Sequence, residues 1–235
     1  MNWFLSLFRR SSGTDDEPAF ESYRRFRALG RSFNPGLIKQ LPPAALPESA
    51  KKLGLYKAGT LILNQDDEIA VAYDYCLHHH RRGGKNLIDR TLENAPPPTD
   101  SDEWRYLKAL SEAHFSVFRI EDILPRRGAR LADLVTGDSV AIMDLGLNST
   151  GMPGTLVAGR LLRFEGFAMS AGTLVPIHEQ VFETRILPVI RKFWPDETMT
   201  PAPLAPAQAA AFEAQVLRIA LHAEEDLSFY TDMES

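Results

Sequence analysis

The sequence predicts an α+β fold: a helical N-terminal part, a small five-stranded antiparallel barrel of SH3-like or OB-like size, and two C-terminal helices packed back on it. Three observations carry this. Apolar residues recur at helical spacing through residues 17–114. Over 115–175 the period shortens to that of strands, and five short apolar segments are separated by turn compositions. Helical spacing then returns in 176–235. With 235 residues, 44% of them apolar, the chain is long enough to bury a substantial core.

Residues 1–16 read as a disordered tail. Its start, "MNWFLSLFRR", is too short to span a membrane and places its arginines after the apolar run, so weak peripheral membrane contact through residues 1–10 is the most it offers. Thr14 and Glu17 have capping-box spacing, and a helix follows from about Pro18 to Phe33. "NPG" should end it, with a short helix to come at 47–54. "TLILN" suits a strand or the lip of the next helix. From Asp66 to Arg82 the helical signal is clear: Ile69, Ala72, Tyr73, Cys76, Leu77 and His80 form a stripe, and Gly83 and Gly84 look like its C-cap. "KNLIDRTLEN" and the segment from Trp104 to Ala113 supply two more helices.

The five strands are "FSVFRIEDI", "ARLADLV", "SVAIMDL", "TLVAGRLLRF" and "FAMSAGTLV". Several are apolar on both faces, which calls for helices over the outside of the barrel. The helix containing Val181, Phe182, Ile186 and Phe193 should kink or split at Pro188. The last helix runs from about Pro206 to Leu227 and buries Ala209, Phe212, Val216, Ile219, Ala220 and Ala223. Glu224, Glu225 and Asp226 at its end oppose the helix dipole and should fray it.

The residues with chemical potential concentrate in "DYCLHHHRRGGKN", residues 74–86. Cys76 with His80, and Asp74 with His78, have the i, i+4 spacing that brings two ligands onto one helix face, but a structural zinc needs four. His114, His178 and His222 stand alone, and Cys76 sits on the apolar stripe as a small hydrophobe, so no metal or cofactor is expected. A single cysteine also excludes an intrachain disulfide and suits a reducing, cytoplasmic setting. "RRGGK" follows a helix and so lacks the strand-to-helix context of a phosphate loop. Asp133, Asp138, Asp144 and Glu165 read as turn formers, and no nucleophile elbow surrounds Ser139.

Charge is uneven around a net of -5. Residues 1–40 carry seven basic and four acidic residues, and 176–235 carry four and ten. The fragments "DYCLHHHRRGGKN", "HFSVFRIEDILPRRGARLADLVTGD" and "GRLLRFEGFAMSAGTLVPI" together resemble uncharacterised bacterial proteins in which a helical segment precedes a small β module, similar to the β module found beside SEC-C zinc motifs. The resemblance implies a shared fold and bacterial origin, and no activity. The Cys-rich motif itself does not occur in this chain.

The expected role is that of a non-enzymatic cytoplasmic binding or adaptor protein for another macromolecule, above all a protein. Arg24, Arg25, Arg27 and Arg31, with Arg81, Arg82 and Lys85, form the expected interaction surface. An RNA- or DNA-associated regulator using the barrel and the basic first helix is one alternative. The other is an enzyme with a site assembled from scattered residues, whose mark would be a deep pocket holding convergent polar groups. On this reading His78 and His79 are solvated, and Cys76→Ala costs about 1 kcal/mol through a small cavity. Purified, untagged protein should hold far less than one zinc per chain and melt identically with and without chelator. One tightly held equivalent would overturn the helix-end reading.

Overall fold

The structure, a computed structural model, describes residues 17–65, 67–195 and 201–223. The tail at 1–16, Asp66 and the acidic end of the last helix therefore lie outside it. Helix α1 (Glu17–Ile38) presses Tyr23, Phe26 and Leu37 into the core. It passes through Pro35 instead of stopping at "NPG". Pro35 faces solvent, where the carbonyl deprived of its partner is open to water, while Leu37 beyond it anchors the final turn.

Helix α2 (Ala45–Leu53) ends at Gly54, whose φ of 79° turns its N–H back onto the carbonyls of Ala50 and Lys51. A two-residue turn then joins β1 (Tyr56–Lys57) to β2 (Thr60–Leu61), so "TLILN" opens as a strand. Helix α3 (Asp67–His79) follows, and its N-terminus is tied by Glu68, which accepts from the Asn64 N–H at 2.7 Å.

Helix α3 stops three residues earlier than the sequence suggested. Gly83 and Gly84 do not cap it. At φ 61° and 79° they are the centre of a reverse turn whose flanks, Arg82 and Lys85, exchange backbone hydrogen bonds. Burial also wraps further round α3 than one stripe allows. Leu77 faces one apolar cluster, while Val71, Ala72 and Tyr75 face another. Cys76 is buried as expected, its thiol against the Ala45 carbonyl at 3.4 Å. Two capped helices complete the region: α4 (Leu87–Asn94), capped by Asn86, and α5 (Asp102–Glu112), capped by Ser101.

The sheet comprises β3 (His114–Leu124), β4 (Gly128–Asp133), β5 (Ser139–Met143), β6 (Leu156–Phe164) and β7 (Phe167–Ser170), in the order β5-β4-β3-β6-β7, all antiparallel. The outer strands β5 and β7 lie close, so the sheet nearly closes into a barrel around Phe118, Ile120, Leu131, Ile142 and Leu161. "FAMSAGTLV" is not one strand. It breaks after Ser170 and resumes as β8 (Val175–Ile177), which pairs with the first half of β6 while β7 takes the second. A short helix, α6 (Leu145–Thr150), occupies part of the expected "NSTGMPG" turn and is capped by Asp144.

Helices cover the barrel on both sides, as its two-faced strands require. On one side α1, α4 and α5 close over Leu162 and Met169. On the other, α2, α3 and the C-terminal helices close over Val117, Leu156 and Ala158. The C-terminal part begins with α7 (Glu179–Val181), which runs through a π-helical turn, Phe182–Ile186, into α8 (Leu187–Phe193). The π turn ends two residues before Pro188, which lies in the first turn of α8, where its missing N–H costs little. Helix α9 (Pro206–Leu221) buries Phe212, Val216, Leu217 and Ala220, and with them one acid, Glu213.

Backbone geometry gives a graded test. Gly137, at φ 77° with open space around a new Cβ, should tolerate Gly137→Ala at about 1 kcal/mol. At Gly128, φ 147°, a Cβ would collide with the Ile142 carbonyl and the Asp144 amide, so Gly128→Ala should cost at least about 3 kcal/mol by urea denaturation.

Candidate functional site

Strand β6 has partners along both edges, and all its residues from Leu156 to Leu162 are buried. Alternation sends Val157 and Leu161 into the barrel and Leu156, Ala158 and Arg160 to the outer face, under α3 and α9. Arg160 is thus a guanidinium only 5% exposed amid an apolar layer. Burial on this scale is tolerable only with charged partners, and two helices supply them. Arg160 Nε donates to Asp74 Oδ2 of α3 at 3.1 Å, and Nη2 to Glu213 Oε2 of α9 at 2.6 Å. Nη1 donates to the Ala113 carbonyl at the end of α5 at 3.4 Å.

Glu213, 1% exposed, holds a second partner. Its Oε2 lies 2.7 Å from His79 Nε2, in the last turn of α3. That ring packs on Tyr75, whose hydroxyl donates to the Ala210 carbonyl of α9 at 3.0 Å. His78, beside it, is 6% exposed, and its Nε2 stands 3.7 Å from Asp74 Oδ1, beyond hydrogen-bond reach. The solvated histidines expected from sequence are therefore buried, because α3 is covered on two sides and ends against α9.

The electrostatics follow from burial and pairing. Burial works against ionising Glu213, but Arg160 and His79 overcome it and hold its carboxyl below the ordinary range. Asp74 shares the same arginine and feels both burial and the charge of Glu213, so its carboxyl is pushed up. Burial, then Arg160 and His79, pushes His78 well below its usual value, leaving a neutral imidazole. Three polar atoms of this cluster are buried with no hydrogen-bond partner: His78 Nε2, His79 Nδ1 and Glu213 Oε1.

The cluster borders an open cavity of about 450 Å³. His78, His79, Arg160 and Glu213 form its buried end, and Phe115, Trp194, Leu204 and Phe212 form its apolar walls. Trp194 and Phe212 meet edge to face at 4.9 Å. Ser116 and His114 of β3 add a second polar group. Both reach Asp133, Ser116 Oγ at 2.5 Å and His114 Nε2 at 3.4 Å. Asp133 also accepts from the Val135 and Thr136 amides, so its role as turn former stands, and these donors hold its carboxyl down despite burial. The serine bonds the aspartate directly, with no imidazole between them, which is not the order of a nucleophilic triad.

A second cavity, of about 500 Å³, lies between α1 and α3 and shares Asp74 with the cluster. Among the described residues, no three His, Cys, Asp or Glu side chains assemble as a metal-ligand set.

The arginines expected to form one surface are dispersed. Arg24 pairs with Glu21 at 3.7 Å and Arg25 with Asp102 at 2.9 Å. Arg27 turns inward onto Asp144 Oδ2 at 2.8 Å and the Ser170 carbonyl at 3.0 Å, tying α1 to the barrel. Arg31 lines the second cavity and Arg81 the first. Arg82 is exposed in the reverse turn, and Lys85 pairs with Glu93. The stretch read as a helix end thus supplies Asp74 to the charge cluster and His78, His79, Arg81 and Asn86 to the first cavity.

A family model, "Family of unknown function (DUF7986)", matches residues 18–199. The chain belongs to that family. The DUF7986 match spans Asp74, His78, His79 and Arg160, while Glu213 follows it in sequence on α9. No curated protein and no solved structure matches the chain. No helix among the described residues is long and apolar enough to cross a membrane.

The buried neutral His78 makes stability depend on pH. Below the usual value of 6.5, the unfolded chain takes up a proton that the folded chain refuses, so folding stability falls as pH drops from about 6.5. One such group contributes a slope approaching about 1.4 kcal/mol per pH unit. His78→Gln should flatten the dependence between pH 6.5 and 5 in urea titrations.

Proposed function

We propose that this DUF7986 chain is a binding protein for a small organic molecule, seated between strands β3 and β6 and helices α3, α8 and α9. One observation carries the reading: an open cavity of about 450 Å³ is lined at its inner end by His78, His79 and Glu213, each of which holds a buried polar atom without a partner. That volume is within the range of small-molecule sites, which combine apolar walls with a few convergent polar groups. Each unpartnered atom costs about 1–3 kcal/mol, and a ligand that satisfies it recovers part of that cost.

The proposal moves the binding role expected from sequence toward a small molecule, since several of the expected surface arginines already have acidic partners. Cytoplasmic residence, which a buried free thiol suits, belongs to the same proposal. An enzymatic reading has one feature in its favour, the imidazole of His79 oriented by Glu213, an arrangement shared with general bases.

Ligands should report themselves through Trp194, which lines the cavity. Screening a chemically broad small-molecule panel should yield compounds that change Trp194 fluorescence and raise the melting temperature. A ligand at one hundred times its Kd adds about 2.7 kcal/mol. Ala209→Phe, which fills the cavity from α9 one helical turn before Glu213, should abolish both effects. A panel that binds nowhere, or binds equally well to this variant, would sink the proposal.

A further inference from the structure

Resting on that reading, we infer that the cavity takes an organic base, an ammonium or amidinium group carried on a planar apolar body. The hydrogen-bond inventory at the buried end points to a donor. Glu213 Oε2 accepts from both Arg160 Nη2 and His79 Nε2, and its second oxygen, Oε1, is buried with no donor at all. Because a carboxylate only accepts, the hydrogen between His79 and Glu213 resides on His79 Nε2. In that tautomer the unpartnered Nδ1 is the accepting side of the ring. The unpartnered Nε2 of His78 belongs to a second imidazole, 3.7 Å from Asp74 Oδ1.

Charge count agrees with this inventory. Two buried carboxylates, Asp74 and Glu213, share the single guanidinium of Arg160, so the cluster lacks one positive charge when both are ionised. All three nitrogens of that guanidinium already donate within the protein. An anionic ligand would meet Oε1 at this end, where Arg160 is already committed; the cavity's other guanidinium, Arg81, donates to the Gly84 carbonyl at 2.8 Å. A cationic ligand at this end restores neutrality, and its donor satisfies Oε1 once a side-chain shift opens that buried oxygen to it. The walls suit the same ligand: Phe115, Trp194 and Phe212 pack edge to face, and aromatic faces attract cations and planar rings.

Matched probes on the unmodified protein decide the class. Benzamidine and benzylamine should bind about tenfold or more tightly than benzyl alcohol, the advantage of a charge-assisted hydrogen bond, with quenching of Trp194. Glu213→Gln should erase that advantage, bringing benzamidine and benzylamine to the affinity of benzyl alcohol on the same variant. If this variant fails to fold, the comparison on the unmodified protein stands by itself. Tighter binding of benzoate would overturn the inference and mean that His79 supplies the missing charge as imidazolium. Equal binding of base and alcohol would also overturn it, and either result leaves the cavity as a binding site. If no probe binds and the broad panel fails as well, both readings fall together.

Discussion

Arg160 is the point on which the two halves of the structure depend. A guanidinium fixed on a strand with hydrogen-bonded neighbours on both edges cannot retreat to water, so its partners must come to it. Asp74 arrives on α3 and Glu213 on α9, helices separated in sequence by the entire barrel. Removing one partner from such a buried cluster costs about 3–5 kcal/mol, because an uncompensated charge remains behind. The same cluster creates the site, since satisfying Arg160 leaves Glu213 Oε1, His79 Nδ1 and His78 Nε2 buried without partners.

Much of the fold was legible in the sequence. The segments "KNLIDRTLEN" and Trp104 to Ala113 became α4 and α5, strand-like spacing located the strands, and the apolarity of both strand faces required the covering helices. The misses have local causes. Pro35 was tolerated because its face of α1 meets solvent. The Gly83–Gly84 pair does adopt the positive φ angles that only glycine takes cheaply, but within a reverse turn instead of at a helix end. The nine residues of "FAMSAGTLV" became two strands because residues 171–174 leave the ladder, so β7 and β8 pair with separate parts of β6.

The site was much less legible, because each of its members looks ordinary alone. Three signals were available. Arg160 is the single charge in "TLVAGRLL", Glu213 the single charge in "AAAFEAQVL", and Asp74 interrupts the most apolar stretch of α3. A lone charge on an apolar face must find an opposite charge once buried, and these three are mutually complementary. What the sequence could not supply was the pairing: 86 positions separate Asp74 from Arg160, and 53 separate Arg160 from Glu213. The histidines were misjudged for the same reason, since their burial depends on α9, which returns from the far end of the chain.

The fixed position of Arg160 also constrains how the helices dock. Apolar surfaces forgive sliding, because one leucine replaces another with little loss. A charged pair does not. Slipping α9 by one turn would carry its carboxylate about 5.4 Å along the axis, out of reach of the guanidinium. Alternative registers of α3 would likewise strand Asp74 in an apolar layer. The cluster therefore serves as a registration pin: it adds little net adhesion beyond what packed hydrocarbon would give, yet it separates one arrangement of two greasy helices from its near neighbours by several kcal/mol.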